Sequence, residues 1–283
     1  MAAPSAAPPF AEWIGRQETA VDEVAAGRVN ALAATLDLEP AFEEGDALPP
    51  GWHWILFNPI ARRSELGTDG HPRRGGFLPP VELPRRMWAG GRLAFHEPLR
   101  VGDGVRRASE IRDIQGKQGK SGALVFVTVR HRLYAADRLA LEEEHDVVYR
   151  GEASGGGAAA AAGEPAGRGA WTREIRPDPV LLFRYSALTF NGHRIHYDQP
   201  YATGVEGYPG LVVHGPLIAT LLMELVRANA AAPLATFSFQ ARAPLFDTEA
   251  FTVNGTPDAK QVRLWAAGAD GRLAMSASAE LKS

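Results

Sequence analysis

The chain has 283 residues, 45% of them hydrophobic and 22% charged, an ordinary globular profile with length for one large domain or two smaller ones. A net charge of −3 argues against a nucleic-acid partner, because such binders usually carry a basic excess. There is no cysteine, which excludes disulfides, thiolate catalysis and cysteine-ligated zinc or iron–sulfur centres.

The opening "MAAPSAAPPF" lacks the basic segment and long apolar core of a secretory signal and reads as a frayed terminus. No apolar run approaches the ~20 residues that span a bilayer. A cytoplasmic protein with no membrane partner is expected. Residues 31–37, "ALAATLD", form a short apolar helical run. Segment 64–91, dense in Gly and Pro, breaks any helix and suggests a loose cavity on that side. "GKQGKSG" (116–122) lacks the spacing of a phosphate loop and reads as a basic hairpin turn. "ALVFVTVRHRLY" (123–134) alternates like a half-buried strand, and "LALEEEHDVVYR" (139–150) should pair back on it.

Residues 151–170, "GEASGGGAAAAAGEPAGRGA", are too small in side chain to bury a core and predict a flexible linker between modules at 10–150 and 171–283. The second module begins with "YSALTFN" (185–191), again helical. Its "PLIATLLMELVRANA" (216–230) is apolar on nearly every face and must be buried all round, as when a sheet curls about a central helix. Four strands follow in "TFSFQARAPLF", "AFTVNG", "QVRLWAAG" and "RLAMSASAEL", which meander connections would make antiparallel.

The modules look like copies. "ALAATLD" matches "YSALTFN", "FHEPLRVGD" (95–103) matches "ARAPLFDTE" (241–249), and "ADRLAL" (136–141) matches "ADGRLAM" (269–275), in the same order. The offset shrinks along the chain, so the first copy carries the insertions. It shows no counterpart of the long helix.

The chemistry concentrates in "NGHRIHYD" (191–198) and "VVHGPL" (212–217). His193 and His196 are three apart with Asp198 near, but a zinc site needs three or four ligands, and nothing in the spacing commends His214 or His71 as the third. No metal is expected. The helix start offers unpaired N–H groups at Gly215 and Leu217, Pro216 having none, at the positive end of the helix dipole. If the histidine loop faces that end, one pocket holds an oxyanion site and an imidazole base. Such a pair suits adding or removing water beside a thioester carbonyl.

With these motifs the second module resembles the MaoC-like, or (R)-specific enoyl-CoA hydratase, family. "FNGHRIH" (190–196) is similar to its Gly-Asp-x-Asn-Pro-x-His motif, and "HGPL" (214–217) to its later His-Gly. "WHWILFNP", "DGHPRRGGFLPP" and "PRRMWAGGRLAFHEPLRVGD" resemble a two-domain branch acting on mesaconyl-C4-CoA or itaconyl-CoA. The resemblance implies an α+β, double hot-dog fold with a degenerate first half. It further implies a hydro-lyase for a CoA-thioester, working without cofactor. A monomer and a homodimer are both open.

Two departures from the motif matter. Asn191 replaces the family's Asp, and a neutral amide holds a water rather than acting as base. The base role falls on His196, with His193 in reserve. The motif's Asn-Pro is His193-Arg194 here. Arg194 has a chemical rationale as a clamp for a second carboxylate, which Arg85 or Arg86 could serve equally; a structural pairing of Arg194 with Asp198 stays open. Gly215 supplies the oxyanion N–H. Tyr185 and Tyr197 would close the pocket unless they are core, and His214 would cap the helix. Lys117, Lys120 or Arg92 could meet the CoA phosphates. The rival functions are a hydratase or dehydratase of simple or fatty acyl thioesters, a thioesterase, and a non-catalytic acyl-CoA binder.

Overall fold

A computed structural model describes residues 9–119, 122–151 and 166–283. Most of the expected linker, residues 152–165, lies outside the described residues, as do residues 1–8 and the turn residues Lys120 and Ser121.

The first half runs β1 (Gln17–Glu23), α1 (Ala26–Thr35), β2 (Arg85–Phe95), β3 (Gly104–Gly119), β4 (Gly122–Ala135) and β5 (Arg138–Arg150). The second runs β6 (Trp171–Ile175), α2 (Pro179–Thr189), α3 (Gln199–Gly204), α4 (Gly215–Asn229), β7 (Leu234–Ala241), β8 (Phe251–Asp258), β9 (Gln261–Gly268) and β10 (Leu273–Leu281). All ten strands form one antiparallel sheet in the order β1-β3-β4-β5-β2-β7-β10-β9-β8-β6. Read outward from the central β2–β7 pair, the two halves repeat the same order. That is the pattern of a duplicated unit, and the three sequence matches fall at equivalent places: on α1 and α2, after β2 and β7, and at the β4–β5 and β9–β10 turns.

One expectation needs correction. The strands β8, β9 and β10 do meander, but β7 pairs with β10, so the β7–β8 connection is not a hairpin. Segment 64–91 holds no α-helix, and its last residues, from Arg85, open β2. Gly90 and Gly91 sit at backbone contacts. A Cβ on Gly90 would lie 2.6 Å from the Phe239 carbonyl oxygen, and one on Gly91 would lie 2.9 Å from that of Glu144.

Helix α4 is buried without a break from Leu217 to Val226. The one charge in that run, Glu224, accepts from the Trp52 indole (2.9 Å) and pairs with Arg227 (2.6 Å), which offsets its desolvation. In the first half the corresponding wall is only a short 3-10 turn, Trp52–Ile55, whose Trp52 and Ile55 pack into the same core as α4. A half without a long helix leaves room, and the cleft lies there.

Candidate active site

Helix α2 is capped by Asp178, which accepts the Leu181 N–H (2.7 Å), with Pro179 in its first turn. It ends at Phe190, where a left-handed φ of 51° reverses the chain, and the Asn191 N–H returns to the Ser186 carbonyl (2.8 Å). This turn throws residues 191–198 across the start of α4. The Val212 N–H then bonds the Ile195 carbonyl (2.9 Å), so loop and helix start are stitched together as the sequence suggested.

His196 is buried, and its Nδ1 lies 2.7 Å from the Val212 carbonyl oxygen. A carbonyl only accepts, so Nδ1 carries the proton and Nε2 of the neutral ring is left bare. Burial pushes the His196 pKa down to about 4, against the opposing Val212 bond. The ring is therefore neutral at physiological pH. It stacks on His214 with ring centroids 3.7 Å apart.

His214 is fully buried, and its Nε2 bonds the Ser186 hydroxyl (2.8 Å). It stands at the N-cap position of α4 as expected, though without a side-chain capping bond, and it is not among the residues that line the cleft. Its ring packs behind His196. Asn191 lines the cleft, with Oδ1 accepting the His193 N–H (3.0 Å), so part of its acceptor capacity shapes the loop.

Arg194 is committed elsewhere. Its guanidinium bonds Asp198 (2.8 Å) and the Thr68 carbonyl (3.0 Å), lies over the Tyr201 ring (4.1 Å), and is absent from the cleft wall. The structural pairing, not the clamp, describes it. Asp198 also caps α3 by accepting the Tyr201 N–H (3.2 Å). Arg86 does line the cleft and forms no ion pair among the described residues, whereas Arg85 is paired with Glu206 (3.5 Å). Tyr185 is buried and Tyr197 exposed at the cleft edge, its hydroxyl donating to the Gly192 carbonyl (2.8 Å). Gly215 borders the cleft at the first turn of α4; the first bond of the helix ladder is Ile218 N–H to His214 carbonyl, leaving the Gly215 N–H outside the ladder. Of the residues expected at the CoA phosphates, Arg92 is spent on Glu144 and Asp146, and Lys117 lies over Phe126.

Two residues at the site were not expected there. Loop 67–71 of the first half docks on the histidine loop, with the Arg194 N–H donating to the Asp69 carbonyl (2.9 Å). It brings His71 against His193, ring centroids 4.3 Å apart. Asp69, His71 and His193 offer one ligand atom each within 4.8 Å of one another and are the residues that could hold a metal. Asp69 and His71 are hydrogen-bonded to each other at 3.2 Å. The whole cleft encloses about 2410 Å³ and is walled by both halves, with Trp54, Trp88 and Glu143 among the first half's contribution. Glu143 is itself buried; burial acts to raise its pKa, but His145 and His53 outweigh it and keep the carboxyl ionised.

Residues 51–247 match the family model of hydroxyacyl-thioester dehydratase type 2. The chain belongs to that family. It is 50% identical to the mesaconyl-C(4)-CoA hydratase of Chloroflexus aurantiacus over 95% of this chain and 96% of the relative. It is 28% identical to the mitochondrial hydroxyacyl-thioester dehydratase type 2 of Schizosaccharomyces pombe, over 71% of this chain and 75% of that one. Among solved structures, a MaoC-like dehydratase from Phytophthora capsici superposes with a TM-score of 0.71 at 12% identity, covering 95% of this chain and 96% of that one. A Mycobacterium tuberculosis protein described as having a double hotdog fold gives 0.58 at 16% identity, covering 95% and 96%. The fold of this dehydratase family member is the double hot-dog expected from its sequence. No helix among the described residues is long and apolar enough to cross a membrane.

Proposed function

We propose that the protein is a hydro-lyase that adds water to the 2,3-double bond of an enoyl-CoA thioester, with mesaconyl-C4-CoA as substrate and citramalyl-CoA as product. The observation that carries this reading is His196, whose Nδ1–H is fixed on the Val212 carbonyl while the ring lines the same cleft as the start of α4. The 50% identity to a mesaconyl-C(4)-CoA hydratase supports the choice of acyl group.

In the reaction the thioester oxygen takes the Gly215 N–H at the positive end of α4. Nε2 of His196 removes a proton from a water that Asn191 helps to hold, and the hydroxide adds at C3. The π electrons move to the enolate, which is protonated at C2; dehydration is the reverse. Mesaconyl-C4-CoA carries a carboxylate on C3, and Arg86, a cleft-wall arginine with no ion pair among the described residues, receives it. The protein acts in the cytoplasm, on a diffusible thioester.

The test follows the conjugated enoyl-thioester absorbance with purified protein, offering mesaconyl-C4-CoA and crotonyl-CoA in parallel and monitoring free thiol. Loss of the signal without thiol, faster for mesaconyl-C4-CoA, is the expected outcome. Thiol release would make the protein a thioesterase. Faster turnover of crotonyl-CoA would move it to simple acyl chains, and no turnover of any acyl-CoA would leave only a binding role.

A further inference from the structure

The loop that carries Asp69 and His71 is fastened to the histidine loop by backbone contact. A Cβ on Gly70 would lie 1.9 Å from the Gly192 carbonyl oxygen, and one on Gly192 would lie 2.6 Å from that of Gly70, so the approach needs glycine on both sides. Two bonds from Arg194, one from its N–H to the Asp69 carbonyl and one from its guanidinium to the Thr68 carbonyl, hold the loop in place. Asp69 in turn fixes His71 twice: Oδ1 accepts the His71 backbone N–H (3.0 Å), and Oδ2 lies 3.2 Å from Nδ1. With Nδ1 held on a carboxylate, Nε2 is the free end of the ring. His71, His193 and His196 then form a row along the cleft wall, with centroid separations of 4.3 Å and 5.5 Å.

An imidazole with a carboxylate on its far nitrogen is held in one orientation, the arrangement of an acid–base residue. Burial acts to raise the Asp69 pKa, but the hydrogen bonds from the His71 side chain and backbone outweigh it and hold the carboxyl well below its usual range. Asp69 is thus a standing negative charge behind His71. Neither residue takes part in the His196–Gly215 half of the chemistry.

We infer that His71, oriented by Asp69, is a second catalytic residue of the site, contributed by the first half of the chain, and that it delivers the proton to C2. The inference rests on the hydro-lyase reading above. When the O–H bond of water breaks, its proton goes to Nε2 of His196 and the oxygen bonds to C3. The C2–C3 π pair becomes the enolate. That pair then takes the proton from Nε2 of His71, and the thioester carbonyl is restored. His196 ends with one proton more and His71 with one fewer. Both are reset by proton exchange with water in the cleft, His196 losing its proton and His71 regaining one, with His193 standing between the two rings.

The experiment measures kcat and KM for the wild type, His71→Ala, Asp69→Asn and His196→Ala on one enoyl-CoA substrate, with imidazole added to the His71→Ala protein. The expected result for His71→Ala is a kcat lower by about 100- to 1,000-fold, within the range for loss of a general acid, with KM moving less than about threefold. Asp69→Asn falls between it and the wild type, and imidazole restores part of the His71→Ala turnover, which a misfolded protein would not allow. A His71→Ala kcat within about threefold of an active wild type, or a loss confined to KM, overturns the proposal. An inactive wild type overturns the hydro-lyase reading itself, and the role of His71 falls with it.

Discussion

His196 stacks on His214 with ring centroids 3.7 Å apart and planes 18° from parallel. The pair sets the plane of the proposed base from behind, while the Val212 carbonyl sets its rotation. His214 is held in turn by one bond, to Ser186, and its Nδ1 is already buried without a partner. Ser186→Ala would leave both ring nitrogens unsatisfied, at a cost of about 1–3 kcal/mol in stability. The accompanying fall in kcat should exceed any change in KM, because only the base is displaced. Denaturant unfolding and steady-state kinetics on the variant check both parts. An unchanged midpoint would show that Ser186 does not hold His214.

The base assignment fixes a pH profile. A general base works in its deprotonated form, so kcat/KM falls as pH drops through the pKa of the free enzyme. Burial puts His196 at about 4, and the charge of His71 pushes the same way. The acid limb of kcat/KM should therefore lie near 4, well below the 6.5 of an ordinary histidine. An acid limb at or above 6 would point to another base.

Much of this was legible in the sequence, for physical reasons. Helix α4 announces itself because an all-round apolar helix has one place to go, and β4 because a long alternating run of Val, Phe and Thr has one periodicity. The strand β2 was hidden by its own contacts: Gly90 and Gly91 read as loop residues, yet they are what lets β2 meet β7 and β5. His196, Asn191 and Gly215 could be found because they lie in two short motifs close in the chain. Asp69 and His71 could not be placed, since their loop meets the histidine loop across a separation of 126 residues between Thr68 and Arg194. The available signal was the run "DGHPRRGGFLPP", which carried family resemblance but no spacing rule. Arg194 misled for the opposite reason. Its neighbours in sequence are catalytic candidates, but its guanidinium turns away to Asp198.

Stability should also depend on pH, with a sign set by the buried histidines. Burial lowers His131, His193, His196 and His214 below the ordinary 6.5. Below 6.5 the unfolded chain takes up protons that the folded protein does not, so the unfolded state gains and stability falls with falling pH. Each such group contributes a slope of about 1.4 kcal/mol per pH unit in that window. Above 6.5 neither state binds these protons and the contribution is complete. Urea midpoints taken between about pH 7.5 and 5 should drop steadily on the acid side. A flat profile over that range would mean that these rings are solvated in the folded protein.

Docking of the first-half loop can be broken at one atom. Gly70 has φ +89°, and a methyl group there would strike the Gly192 carbonyl oxygen. Gly70→Ala should cost about 1–3 kcal/mol if the loop stays seated, or less if it lifts away. Lifting removes Asp69 and His71 from the cleft, so a small loss of stability should come with a large loss of kcat. Gly76→Ala, five residues beyond that loop and with open space around its Cβ position, is the control and should change neither. Equal activity in the two variants would separate the loop contact from catalysis.

Arg86 and Arg194 provide the sharpest contrast in substrate choice. Arg86 lines the cleft without an ion pair among the described residues, and Arg194 has its guanidinium on Asp198 and Thr68. A clamp for the second carboxylate contributes only when that carboxylate is present, so Arg86→Ala should lower kcat/KM for mesaconyl-C4-CoA and leave crotonyl-CoA nearly untouched. Removing a charge-assisted bond of about 1.5–3 kcal/mol corresponds to a loss of roughly 10- to 150-fold. Arg194→Ala should lower turnover of both substrates alike, since it releases the loop that seats His71 rather than a substrate contact. Arg86→Lys keeps the charge and loses the two-pronged geometry, and its turnover of the dicarboxylic substrate should fall between wild type and Arg86→Ala. A uniform loss in Arg86→Ala would remove it as the clamp and leave the carboxylate to another group of the cleft wall.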